Sequence, residues 1–100
     1  MRDQMTLSRD EHTPAHFDPA LHQVRFTMRD GGNRVLGYVS VQVLTNAAKR
    51  ERINAASLPL ELFHHFRDRI EKAAGDEFDR GRTQSLQVRD PIPFVWVAAF

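Results

Sequence analysis

Apolar and polar side chains alternate through residues 23–29, with Val24, Phe26 and Met28 on one face and Gln23, Arg25, Thr27 and Arg29 on the other. A period of two marks a strand with one buried face. Asp30, Gly31, Gly32 and Asn33 then supply residues that tolerate positive φ, and a β-rich run resumes over residues 35–39. The pattern predicts a hairpin. Beyond it two readings compete. Val35, Gly37, Val39, Val41 and Val43 would carry the strand on to about residue 44. Ser40 is equally suited to cap a short helix that starts at Val41 and runs through residues 41–50.

A polar connection over residues 51–57 follows. Ser57 then reads as a cap and Pro59 as a first-turn residue, and Leu62, Phe63, Phe66, Ile70, Ala73, Ala74 and Phe78 recur at three- and four-residue spacing. This predicts one long amphipathic helix, with Gly81 after Arg80 as its stop. A strand candidate at residues 85–89, a Pro-Ile-Pro break and an apolar run over residues 94–100 complete the pattern. The expected fold is α+β in the order β-β-α-α-β: a small antiparallel sheet, made of the N-terminal β-hairpin and a C-terminal strand, packed against a short helix and the long one. Residues 1–20 show neither period and carry Pro14 and Pro19. They read as a flexible N-terminal arm ahead of a single α+β domain over residues 21–100.

Composition removes several classes of function. With 100 residues the chain builds one core, and with no cysteine it has no disulfide, thiolate nucleophile or zinc–thiolate site. Fourteen basic residues against 13 acidic ones leave a net charge of +1, so no global field draws nucleic acid or an anionic membrane. No apolar run approaches the roughly 18–20 residues of a membrane span. The acidic, non-apolar opening residues do not read as a signal peptide, which makes the cytoplasm the default location.

The stretch GYVSVQVL, followed about 20 residues later by LFHHFRDRIEKAAGDEF, resembles a small proteobacterial family classed as domain of unknown function 1488. In that family a strand ends in an aromatic-Val/Ile-Ser element that caps a short helix, and a longer helix follows. The residues that match its longer helix are Phe63, Arg67, Ile70, Glu71 and Ala74. The resemblance covers roughly residues 17–88 and implies the helical reading after Ser40. The His-rich segment before residue 20 and the tail PIPFVWVAAF fall outside the pattern. The family implies no activity, cofactor or catalytic residue.

The candidate chemistry is sparse. His64 and His65 lie off the apolar side of the long helix, and adjacent helical residues point about 100° apart, so the pair is unsuited to share one metal ion. Glu61 is spaced to contact His65 one turn on. Arg67 and Glu71 form an i, i+4 pair beside the apolar stripe and read as a solvated pair that could also meet a partner. His12, His16, His22 and Asp18 could gather around a cation only if their segment were ordered, and Pro14 breaks the helical spacing. Lys49, Arg50 and Arg52 form a weak basic patch interrupted by Glu51, short of the one-signed stripe typical of nucleic-acid binding. Gly31 and Gly32 make a turn, not a phosphate loop, and no nucleophile elbow appears. No catalytic, cofactor-binding or metal site is expected.

One stretch is chemically conspicuous: Phe94, Trp96 and Phe100 fall on one alternating face of the C-terminal run, and Val95, Val97 and Ala99 on the other. A strand apolar on both faces needs covering, and aromatic residues are enriched where a second subunit supplies the cover. The expected protein is a non-catalytic module that works through contacts with itself, as a homodimer, or with another protein, with Arg67, Glu71, Phe94, Trp96 and Phe100 as its interaction surface. A weak nucleic-acid-binding or regulatory protein that uses an Arg-rich surface, with Lys49, Arg50 and Arg52 as its basic patch, is the alternative. A small-ligand binder or enzyme with a His/Arg pocket is the second.

Overall fold

A computed structural model describes residues 6–54, 56–81, 84–85 and 92–100, with the backbone alone at 84–85. The elements are β1 (Ser8–Arg9), β2 (His16–Asp18), β3 (Gln23–Asp30), β4 (Asn33–Ser40), α1 (Val41–Arg50), α2 (Pro59–His65), α3 (Arg67–Asp79), β5 (Gln84–Ser85) and β6 (Pro93–Val97). The architecture is α+β, with the hairpin, helices and C-terminal strand in the expected order. The expected strand over residues 85–89 lies outside the described residues except for Ser85.

The hairpin forms where alternation places it. Val24 pairs with Val39, Phe26 with Gly37 and Met28 with Val35, all on the face that the helices cover. Gly31 turns the chain at φ 62°. Gly37 is required by packing: a Cβ there would meet the Phe26 ring at 2.3 Å. Helix α1 starts at Val41, as the family resemblance implies. The Ser40 hydroxyl accepts the Val43 N–H at 3.1 Å, and the Val41 N–H donates to the His22 carbonyl at 2.9 Å, so two free amide donors of the first turn are satisfied. Leu44, Ala47 and Ala48 are buried on its inner side.

Three expectations are corrected. The first is the long helix, which is two. At Phe66 the backbone opens to φ −99°, ψ 9°, and this residue ends α2 and begins α3. The kink lets α2 lie over β2 and β3 while α3 lies over β6, a spread one straight rod could not cover. Leu58, not Ser57, caps α2, and the Glu61 carboxylate turns back to accept the Leu58 N–H at 3.1 Å. Glu61 is thereby committed to the helix start and away from His65.

The second correction concerns the sheet, whose order is β1-β3-β4-β6-β5 with β2 also paired to β3. It is mixed, not antiparallel: β6 runs parallel to β4, with Leu36 opposite Phe94 and Tyr38 opposite Trp96. The chain leaves α3 into β5, and β5 and β6 pair antiparallel. That reversal brings β6 to β4 pointing the same way.

Third, the segment read as a flexible arm over residues 1–20 is structured from residue 6 onward. Ser8 pairs with Arg29 and Arg9 with Met28, while His16, Phe17 and Asp18 pair with Arg25, Val24 and Gln23. The free edge of β3 supplies the hydrogen bonds, and Leu7 and Phe17 pack against the core. Asp10 is buried and organises the loop between the two strands. It accepts the His12 N–H at 2.9 Å, the Thr13 hydroxyl at 3.0 Å and Arg29 Nε at 3.1 Å. These bonds, the His12 amide foremost, hold its carboxyl below the usual aspartate range.

Candidate interaction surface

The three described helices pack on one face of the sheet, so the other face is built from the outward positions of the strands. In cross-strand register one row reads His16, Arg25, Tyr38, Trp96 and the next Thr27, Leu36, Phe94. Strand residues two apart share a face, so Tyr38 sits beside both C-terminal aromatics. Its ring meets Trp96 at 5.1 Å between centroids with a 35° tilt, and Phe94 edge-on at 5.5 Å. Phe94 and Trp96 stand 6.2 Å apart. Trp96 is 43% exposed, while Tyr38, Leu36 and Phe94 are half-buried. Arg25 and Arg34 stand exposed on the same face.

Phe100 does not join this cluster. Strand β6 stops at Val97, so the alternation does not extend to residue 100, and the Phe100 ring packs on Phe66 at 5.3 Å against the core. Phe94 and Trp96 remain together on the open face.

Arg67 and Glu71 lie on the helix side and are a tie within the fold, not a solvated pair. Glu71 is only 5% exposed. One carboxylate oxygen accepts Arg9 Nε at 2.7 Å and the other accepts Arg67 Nε at 2.9 Å. Arg9 also bonds Asp68, and the two carboxylates, Glu71 first, raise its pKa further above the ordinary arginine value. The Arg67 guanidinium lies 5.9 Å from the Phe63 ring centroid, within cation–π range. Both oxygens of Glu71 are thus taken by the chain itself.

The basic patch is also partly absorbed. Glu51 bonds Arg69, which holds the Glu51 carboxyl below its usual range, and Arg50 donates to the Phe100 carbonyl at 3.4 Å. Lys49 and Arg52 stay exposed, and Arg52 takes a left-handed φ of 59° just after α1. His64 and His65 face solvent, each with its ring edge-on to the neighbouring phenylalanine. Among the described residues no three His, Asp or Glu side chains are grouped to hold a metal ion. No helix among them is long and apolar enough to cross a membrane.

Two concavities among the described residues bear on this surface. One, about 520 Å³, lies between α3 and residues 97–100, and its cations are already engaged: Arg69 with Glu51, Lys72 with Asp76 and Arg80 with Glu77. The other, about 220 Å³, lies on the open sheet face between Arg25 and Arg34. Arg25, Arg34, Leu36 and Tyr38 were not singled out by the sequence reading. The available signal was Leu36 and Tyr38 themselves, large side chains on the outward positions of a strand whose other face is already apolar.

Together these features define an α+β domain with a mixed sheet, covered by helices on one face and aromatic on the other. The family profile described as protein of unknown function (DUF1488) matches residues 11–88, and the chain belongs to that family. The match takes in part of the His-rich segment that the resemblance had placed outside the pattern. The chain is similar in fold to a solved structure from Shewanella loihica PV-4, titled a protein of unknown function from the DUF1488 family. Identity is 22%, the TM-score is 0.65, and the alignment covers 83% of this chain and 88% of that one. No curated protein matches the sequence.

Proposed function

We propose that this protein is a cytoplasmic, non-catalytic interaction module that self-associates through the open face of its sheet, centred on Tyr38, Phe94 and Trp96. The observation that carries the reading is the contact of these three rings on a face that none of the described helices covers. Aromatic side chains bring large apolar area and are enriched at the centres of subunit interfaces. A net charge of +1 offers little electrostatic repulsion between copies. The absorption of Arg50 and Glu51 into intramolecular bonds favours this reading over nucleic-acid binding through the basic patch. Sedimentation across the micromolar range is the direct test. A dimer that Trp96→Ser converts to a folded monomer is the expected result, and a wild-type monomer throughout that range overturns the proposal.

A further inference from the structure

We infer that Arg25 and Arg34 form a receptor for a small oxyanion, a carboxylate or phosphate group carried on a compact apolar body. The site shares the open face with the aromatic cluster but does not depend on self-association.

Several of the described arginines are committed. Arg9, Arg29, Arg67 and Arg69 each bond a carboxylate. Arg25 and Arg34 are exposed and have no ion-pair or hydrogen-bond partner among the described residues. Two carboxylates of the N-terminal segment are occupied elsewhere. Asp10 is taken up by His12, Thr13 and Arg29, and Asp18 accepts the Ala20 and Leu21 amides. The two guanidinium groups therefore meet no carboxylate among the described residues.

Register brings these two groups over one spot. Arg25 lies opposite Tyr38 and Arg34 opposite Arg29, with the Thr27–Leu36 pair midway between them. At about 3.3 Å per residue, each arginine is roughly 6–7 Å along its strand from that pair, within reach of an extended side chain. The concavity of about 220 Å³ is lined by both arginines and by this pair. Thr27, 5% exposed, and half-buried Leu36 lie between the arginines, and Thr13, Pro14 and Ile92 complete the lining.

The chemistry of the lining selects the ligand. A guanidinium presents a planar fork of donors that matches a carboxylate or phosphate, and such charge-assisted bonds are the stronger kind. Leu36, Ile92 and Pro14 offer apolar contact to whatever carries the anion. The volume falls below the roughly 300–1,000 Å³ of sites for drug-sized ligands, which points to a small molecule or a single protruding group. Two guanidinium groups are also too few for a polyanion track, whose affinity grows with each phosphate neutralised.

The test is a titration of the isotope-labelled protein with inorganic phosphate and, separately, with butyrate, followed by amide and arginine side-chain NMR at constant ionic strength, with chloride as the control. Saturable shifts confined to Arg25, Thr27, Arg34 and Leu36 are expected. Arg25→Gln or Arg34→Gln should weaken binding about tenfold or more while the remaining spectrum stays native. Tighter binding of phosphate or of butyrate assigns the oxyanion type, and either one supports the site. The inference is overturned by the absence of saturable shifts, by shifts centred on residues 49–52, or by equal binding to the glutamine variants. A short single-stranded oligonucleotide that binds at least as tightly as the better small anion also overturns it, in favour of a nucleic-acid face. Sedimentation of the same variants separates the two proposals: they should keep the wild-type oligomeric state.

Discussion

Arg9 on β1 donates its Nε–H to Glu71 on α3 at 2.7 Å, a bond between residues 62 positions apart that ties the first strand to the last helix. It closes the tertiary structure around residues that had read as a flexible N-terminal arm. Because Glu71 is buried, removing Arg9 leaves a carboxylate with one oxygen short of a donor. Arg9→Ala is expected to cost about 1–2 kcal/mol, a figure reduced because the arginine side chain is itself 37% exposed. Urea unfolding of Arg9→Ala, Glu71→Gln and the double variant is the measurement. The two losses should be less than additive, and full additivity would show that the pair does not interact.

Acid sensitivity should trace to Asp10. Its folded-state pKa lies below the usual aspartate value, so the unfolded chain takes up the proton first as pH falls. The stabilisation is fully present above about pH 4 and is lost as pH falls through the folded value. Asp10→Asn should lower the melting temperature at neutral pH and flatten its decline in acid. Melting curves for both proteins from neutral pH to about pH 3 decide this, and parallel acid limbs would assign the sensitivity to other carboxylates.

Gly37 should be intolerant of any side chain. A methyl group at that position enters the Phe26 ring, and overpacking of this kind costs about 1–3 kcal/mol. Gly37→Ala is expected to destabilise by that amount in chemical denaturation. Phe26→Leu, which opens space under the same spot, should offset part of the loss in the double variant. A Gly37→Ala protein as stable as wild type contradicts the tight contact.

Tyr38 touches both Phe94 and Trp96, so a symmetric contact centred on the aromatic cluster places it near the two-fold axis. The sequence has no cysteine, which removes background cross-linking. Tyr38→Cys should form a disulfide-linked dimer under mild oxidation, seen on a non-reducing gel. Leu21→Cys, 65% exposed in the turn after β2, should not. Equal cross-linking of the two variants would reflect random collision.

Much of the fold was legible in the sequence, and the remainder has definite physical causes. The β3–β4 hairpin announces itself because eight-residue strands display a period of two and Gly31 marks the turn. The start of α1 rests on one side chain, Ser40, whose capping bond outweighs five alternating valine and glycine positions. Strands β1 and β2 are too short, at two and three residues, to show any period. Glu71 looked solvated because local spacing reveals Arg67 but not Arg9. The direction of β6 depends on a reversal between β5 and β6 that no residue pattern encodes. Of the proposed surface, Phe94 and Trp96 were visible as aromatic positions in a strand. Their partner Tyr38 becomes evident only once β6 is laid beside β4.

The parallel pairing of β4 with β6 also orders events in time. The β3–β4 hairpin is a local structure that can form within microseconds, whereas β6 must wait until the chain through all three helices has been placed. Until then the outer edge of β4 carries unpaired amides and carbonyls beside Leu36 and Tyr38. The slow step in folding should be the insertion of β6, and during that interval the protein is most exposed to pairing with the wrong chain.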